Sequence, residues 1–139
     1  MRDRIFIDTN ILIYSISKNC QKCEIARQIL IDNADLITLS SQVINEFINV
    51  CIKKKILSEE LTFMYANEFM DIFDFYIISK KEIRLAISIK QRYGFSYWDS
   101  LIIASALESG SSVLYTEDLH HNQKIENSLK IINPFAKRE

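Results

Sequence analysis

Apolar residues in this chain fall into runs of two kinds that alternate from one end to the other. The short, unbroken runs have strand length: Arg4 to Ile7, Leu36 to Leu39, Phe75 to Ile78, Val113 to Tyr115 and Leu129 to Ile132. The longer segments between them repeat at helical spacing. They cover Asn10 to Ser17, Cys23 to Ile31 (apolar at Ile25, Ala26, Ile29 and Leu30), about Gln42 to Lys54, Ser58 to about Ile72, Ser79 to about Tyr93, and Ser96 to about Ser109. Serines stand where helix caps are needed, at Ser40 or Ser41, Ser58, Ser79 and Ser96. Glu59 and Glu60 fall in a first turn, where the helix dipole favours acids. Gly94 and Gly110 end the last two helices. Short apolar strands alternating with helices predict an α/β fold, a short parallel sheet of about five strands flanked by helices.

The 139 residues fit a single domain spanning 1–139, with no repeat, low-complexity tract or linker. Two glycines and one proline leave little room for a sandwich or a flexible joint. The net charge of −1 excludes a strongly basic nucleic-acid module. Lysines and arginines do cluster at Lys53 to Lys55, Lys80-Lys81, Lys90 to Arg92 and Lys137-Arg138, each read first as a solvated helix end. Cys20-Gln21-Lys22-Cys23 is a lone CxxC. With only Cys51, His120 and His121 as further ligands, it is a poor zinc site, and the simple expectation is a reduced intracellular protein. No signal peptide follows Met1-Arg2-Asp3-Arg4, and no apolar run approaches the roughly 20 residues of a membrane helix. A cytoplasmic location, away from the membrane, is expected.

In a parallel sheet, ligands bind beyond the carboxyl ends of the strands. Asp8 directly follows the first strand and Asp118 lies just beyond the fourth. Each has an ordinary alternative, since Asp8 would cap the next helix and Asp is common in turns. Glu46 sits at the margin of an apolar arc formed by Val43, Ile44, Phe47, Val50 and Cys51, where a glutamate can simply reach water. Asp99 opens a helix that is apolar nearly all round, and with Ser96 it has the form of a capping box. Together the four acids form an oxygen-only donor set of the kind Mg2+ and Mn2+ prefer, suited to phosphodiester hydrolysis by an activated water. Asn10 and Glu117 are polar neighbours able to support the site or add a ligand.

The segments Phe6-Ile7-Asp8-Thr9-Asn10-Ile11-Leu12, Asn45-Glu46-Phe47, Tyr97-Trp98-Asp99-Ser100-Leu101-Ile102-Ile103-Ala104, Leu114-Tyr115-Thr116-Glu117-Asp118-Leu119 and Ile132-Asn133-Pro134-Phe135 occur in this order along essentially the whole chain. In that order they resemble the PIN-domain family, and within it the toxin ribonucleases of the VapC type. The resemblance implies a Mg2+- or Mn2+-dependent endoribonuclease whose acidic quartet is Asp8, Glu46, Asp99 and Asp118, with Thr116 at a supporting polar position. It also implies a cognate small antitoxin, a homodimer, and an RNA substrate such as tRNA or another structured RNA. Hydrolysis by water would leave 5′-phosphate and 3′-hydroxyl ends. The helices around Ile11 to Ile16 and Leu61 to Phe73 are candidate walls of an antitoxin groove. His121 departs from the family, which often has glycine in that stretch. Tyr14, Tyr97 and Trp98 are aromatic candidates for stacking RNA bases, with core packing the expected role of Trp98. Two other readings stand beside this one. A phosphatase with Asp8 as nucleophile is disfavoured because Asn10 stands where a second Asp is needed. The other is a catalytically silent module that binds RNA or a partner.

Overall fold

In the computed structural model, residues 3–18 and 20–136 are described, so the Lys137-Arg138 cluster lies outside the described residues. Twelve elements run in the order β1 (Ile5–Ile7), α1 (Thr9–Ile16), α2 (Gln21–Asp32), β2 (Ile37–Ser40), α3 (Ser41–Lys53), α4 (Glu59–Ile72), β3 (Asp74–Tyr76), α5 (Lys80–Tyr93), α6 (Tyr97–Glu108), β4 (Val113–Tyr115), β5 (Lys124–Ile125) and β6 (Leu129–Ile132). The strands form one six-stranded sheet in the order β3-β2-β1-β4-β6-β5. All neighbouring pairs are parallel except β5–β6.

β1 is buried along its whole length, as expected for a parallel strand covered by helices on both faces. Phe6 pairs with Thr38 of β2 on one side and Leu114 of β4 on the other. The chain moves outward from β1 to β2 and β3, then returns to β4 on the opposite side, so the strand order reverses at the β1/β4 boundary. A crevice forms outside the carboxyl ends of the strands at such a point. α6 is buried continuously from Ser100 to Ala106, matching its all-round apolar sequence, and Ser105 satisfies its hydroxyl by donating to Leu101 O (2.8 Å). Phe6, Leu39, Phe47, Ile89, Ile103 and Leu114 are fully buried members of the same core.

Local signals located the helices to within a residue or two, but three features depart from the sequence reading. β5 is an additional strand of two residues, joined to β6 by a tight turn in which Glu126 and Asn127 both take positive φ. β3 runs Asp74–Tyr76 rather than 75 to 78, because its pairing with β2 ends at Ser40↔Tyr76. Beyond it, Ile77 faces solvent and the Ile78 amide donates to Ser41 Oγ (3.1 Å). Cys20 and Cys23 are joined as a disulfide, in place of the reduced pair expected. Cys20 is the N-cap of α2, and that geometry puts it beside the residue three positions on, with Cα atoms 5.2 Å apart, inside the disulfide range. Cys51 is a buried free thiol.

Candidate active site

Asp8 leaves β1 and caps α1 in the same step. Its amide donates to Tyr115 O (3.0 Å), extending the β1–β4 ladder by one rung. The carboxylate accepts from the Thr9 amide (2.7 Å) and from Thr116 Oγ1 (2.8 Å). It is only 6% exposed. Burial pushes its pKa up to about 6; the bonds from Thr116 and Thr9 oppose this, and the charges of Glu46 and Asp118 add to it.

Glu46 reaches the same place from α3. Its Oε2 accepts from Thr9 Oγ1 (2.8 Å) and its Oε1 from Gln42 Nε2 (2.9 Å). Gln42 is one turn earlier on the same helix face, and its amide also donates to Trp98 O (3.2 Å). A buried glutamine thus ties Glu46 to the start of α6, where Asp99 sits in the first turn. Ser96 Oγ accepts from the Asp99 amide (3.1 Å), but no return bond from the Asp99 carboxylate completes the capping box among the described residues. That side chain is half-buried and uncommitted.

Asp118 stands on the exposed turn after β4. Its amide donates to Thr116 Oγ1 (3.2 Å) and its Oδ2 accepts from Asn10 Nδ2 (3.3 Å). Desolvation raises its pKa first, followed by the charges of Asp99 and Glu117. The Thr116 hydroxyl is fully buried and serves both acids, donating to Asp8 and accepting from the Asp118 amide. Asp8, Glu46, Asp99 and Asp118 therefore share one field, although they come from four separate elements.

The adjacent acid goes elsewhere. Glu117 accepts from Tyr14 OH (2.8 Å) and forms an ion pair with Lys22, so it reaches the group through its charge on Asp118 and not through its oxygens. Within this bend Glu117 is paired with Lys22 while Asp118 meets Asn10. Tyr14 is further held edge-on against Phe135, with ring centroids 5.0 Å apart. Trp98 is 63% exposed, contrary to the core role expected for it, because the buried part of α6 begins two residues later. His121 Nδ1 accepts from the Asn133 amide (3.0 Å) and braces a turn, while His120 is exposed. Thr9 and Gln42 are the two linking residues that sequence reasoning passed over. Only the spacing of Gln42 and Glu46, four apart on one helix, hinted at either.

Among the described residues, no three His, Cys, Asp or Glu side chains stand close enough to form a ready-made metal cage. The donor set nonetheless fits a hard divalent cation. It is made of oxygen alone, and no lysine or arginine pairs with any of the four acids among the described residues. Asn10 Oδ1 adds a buried oxygen with no hydrogen-bond partner beside Asp118. A buried carboxylate raised to about 6 by desolvation and like charges is one that a cation would return to its ionised form.

The sequence profile of the PIN domain matches residues 5–125. The chain is similar in fold to a toxin–antitoxin complex from Klebsiella pneumoniae, with 22% identity, 94% of this chain and 98% of that one covered, and a TM-score of 0.72. It is also similar to the DNA-bound VapBC of Salmonella typhimurium (21% identity, 94% and 97% covered, TM-score 0.70). A third likeness is to VapC20 of Mycobacterium tuberculosis, a sarcin–ricin loop cleaving toxin (13% identity, 79% and 86% covered, TM-score 0.68). No curated protein sequence matches the chain. Among the described residues, no helix is long and apolar enough to cross a membrane.

Proposed function

The chain belongs to the PIN-domain family, and from that premise we propose that it is a metal-dependent endoribonuclease acting in the cytoplasm as the toxin of a toxin–antitoxin pair. One observation carries the proposal. Asp8 after β1, Glu46 on α3, Asp99 on α6 and Asp118 after β4 lie near enough for their charges to couple through Asp8 and Asp118, and no basic side chain pairs with them among the described residues.

Asp8, Asp99 and Asp118 would hold one or two Mg2+ or Mn2+ ions, with Glu46 a direct or water-mediated ligand. Bound there, the cation supplies an acidified water and neutralises charge on a phosphodiester. The chain's own groups set the geometry. The Thr9 amide and Thr116 hydroxyl fix both oxygens of Asp8. Thr9 Oγ1 and Gln42 pin Glu46, and Asn10 holds Asp118. Asn10 Oδ1 is buried beside Asp118 with no hydrogen-bond partner among the described residues. Water rather than the ribose 2′-hydroxyl attacks the phosphate, so the products carry 5′-phosphate and 3′-hydroxyl ends; a 2′,3′-cyclic phosphate product would exclude the scheme.

The toxin role is supported by the fold's likeness to proteins described as toxin–antitoxin complexes. It is also supported by α4, which leaves Leu61, Phe63 and Met64 substantially exposed as a surface for an antitoxin or a second copy in a homodimer. α1 offers less, since Ile11 and Leu12 are fully buried in the core. The test is incubation of purified, antitoxin-free protein with total cellular RNA in Mg2+ or Mn2+, against EDTA and against an Asp99→Asn variant. Discrete cuts that require metal and vanish in the variant are expected. RNA left intact by the wild-type protein in metal would favour a silent binding module.

A further inference from the structure

A cleft of about 480 Å3 opens beside Glu46, between α3 and the start of α6. Gln42, Asn45, Asn49, Ile78, Trp98 and Leu101 line it. Its size falls in the range of small-ligand pockets, roughly 300–1,000 Å3. Glu46 is the sole charged residue in its wall, so the cleft has nothing to draw in a phosphate and suits a neutral group. The other polar groups are carboxamides, which donate and accept along one edge as nucleobases do. Asn45 gives its Nδ2 to Ser41 O (2.8 Å) and keeps its oxygen free. The Asn49 side chain is exposed and makes no hydrogen bond among the described residues. Gln42 Oε1 is buried and unpartnered.

Trp98 supplies the remaining element. At 63% exposure, its indole is the largest apolar surface left open at the cleft. Gln42 Nε2 anchors the Trp98 backbone at its carbonyl (3.2 Å), and Tyr97 packs edge-on against the indole (centroids 5.4 Å apart). An open aromatic face beside unpaired amides matches how single-stranded nucleic acid is bound, by stacking together with contacts to the base edges. Gln42 bonds both Glu46 and the Trp98 backbone, so the cleft and the acidic group share one hydrogen-bonded link.

We propose that this cleft is a nucleobase subsite, in which a base next to the cleaved phosphate stacks on Trp98 and is read at its edge by Asn45 and Asn49. The proposal rests on the nuclease reading and adds to it the place where base preference is set.

Trp98 is the only tryptophan, so its fluorescence reports the stack directly. The purified protein is titrated, without divalent metal, with the four neutral ribonucleosides and with ribose. Saturable quenching by at least one nucleoside and none by ribose is expected. Linear quenching that matches free N-acetyltryptophanamide would overturn the proposal. In saturation-transfer NMR, Trp98→Ala should weaken the preferred nucleoside roughly five- to one-hundred-fold, Trp98→Phe should stay near wild type, and Asn49→Ala should reorder the four. If Trp98→Ala instead dissociates a dimer or releases a protein partner and leaves nucleoside binding unchanged, Trp98 is a protein contact and the subsite is refuted. Metal-dependent cleavage without saturable binding would remove the subsite alone. Saturable binding without any cleavage would remove the nuclease alone.

Discussion

Asp8 and Glu82 are both carboxylates sealed inside the fold, 6% and 1% exposed, yet their acidities move in opposite directions. Burial is the largest single influence on each, and it raises both. At Glu82 it is outweighed by hydrogen bonds. The Ser79 amide and hydroxyl donate to Oε1 (2.7 Å each) and Tyr76 OH donates to Oε2 (2.9 Å), so the pKa ends below its ordinary value. At Asp8, two bonds do not offset the burial, and Glu46 and Asp118 push further, to about 6. One carboxylate is completed by its own chain and closes the first turn of α5. The other is left incomplete among like charges, which is the condition for binding a cation. Burial of an acid alone therefore says little about function. What distinguishes these two is whether the protein itself supplies the compensation.

The contrast should break most visibly in catalysis. Asp8→Asn should reduce metal-dependent RNA cleavage by at least ~100-fold, beyond the 10–100-fold usual for groups outside a metal's direct ligands. Glu82→Gln should leave it within a few-fold, as measured on the same RNA by gel quantification. In stability the order inverts. Glu82→Ala strands the Ser79 amide and Tyr76 hydroxyl and should cost about 3 kcal/mol in urea unfolding at neutral pH. Asp8→Asn should stabilise the metal-free protein by at most about 3 kcal/mol under the same conditions, the equivalent of moving from 3.8 to about 6.

Both stability effects have a definite pH course. The folded pKa of Asp8 lies above its unfolded value, so the native state holds the extra proton between 3.8 and about 6 and loses stability as pH rises through that window. The benefit of Asp8→Asn is therefore full above about 6 and absent below 3.8. Glu82 is shifted the other way. Its contribution is present above its ordinary value of 4.5 and is lost as pH falls through its lower folded value, so the cost of Glu82→Ala should shrink in acid. Unfolding midpoints measured from pH 3 to 8 (about five points suffice to resolve the two courses) would reveal either sign being wrong. The smallest effect expected is that of the ligand itself. Mn2+ at about 100 times its Kd should stabilise the wild-type protein by about 2.7 kcal/mol, and Asp8→Asn should lose most of that gain. An equal gain in both proteins would place the ion elsewhere.

Much of the architecture was open to reading along the chain because its causes are local. Apolar runs such as Ile5-Phe6-Ile7 define strands by their length, and serine caps with Gly94 and Gly110 define helix ends by backbone chemistry that needs no distant partner. Alternation of those elements was enough to place Asp8 and Asp118 beyond strand ends. β5 escaped because two residues carry no periodicity and its turn residues, Glu126 and Asn127, are weak signals for positive φ.

The chain by itself thus determined the elements, their alternation and the acids available to a site. Only tertiary structure decided how those acids are wired. Thr116 meets Asp8 and Asn10 meets Asp118 across 108 positions, and Thr9 meets Glu46 across 37. The β1–β4 register and the packing of α3 set those contacts, and neither leaves a local trace in the polar residues involved. The same long-range geometry turned Glu117 toward Lys22 and left Trp98 in the open. Whether a side chain is completed or left waiting depends on what folds against it, and that is a property of the packed sheet and helices, not of neighbours in sequence.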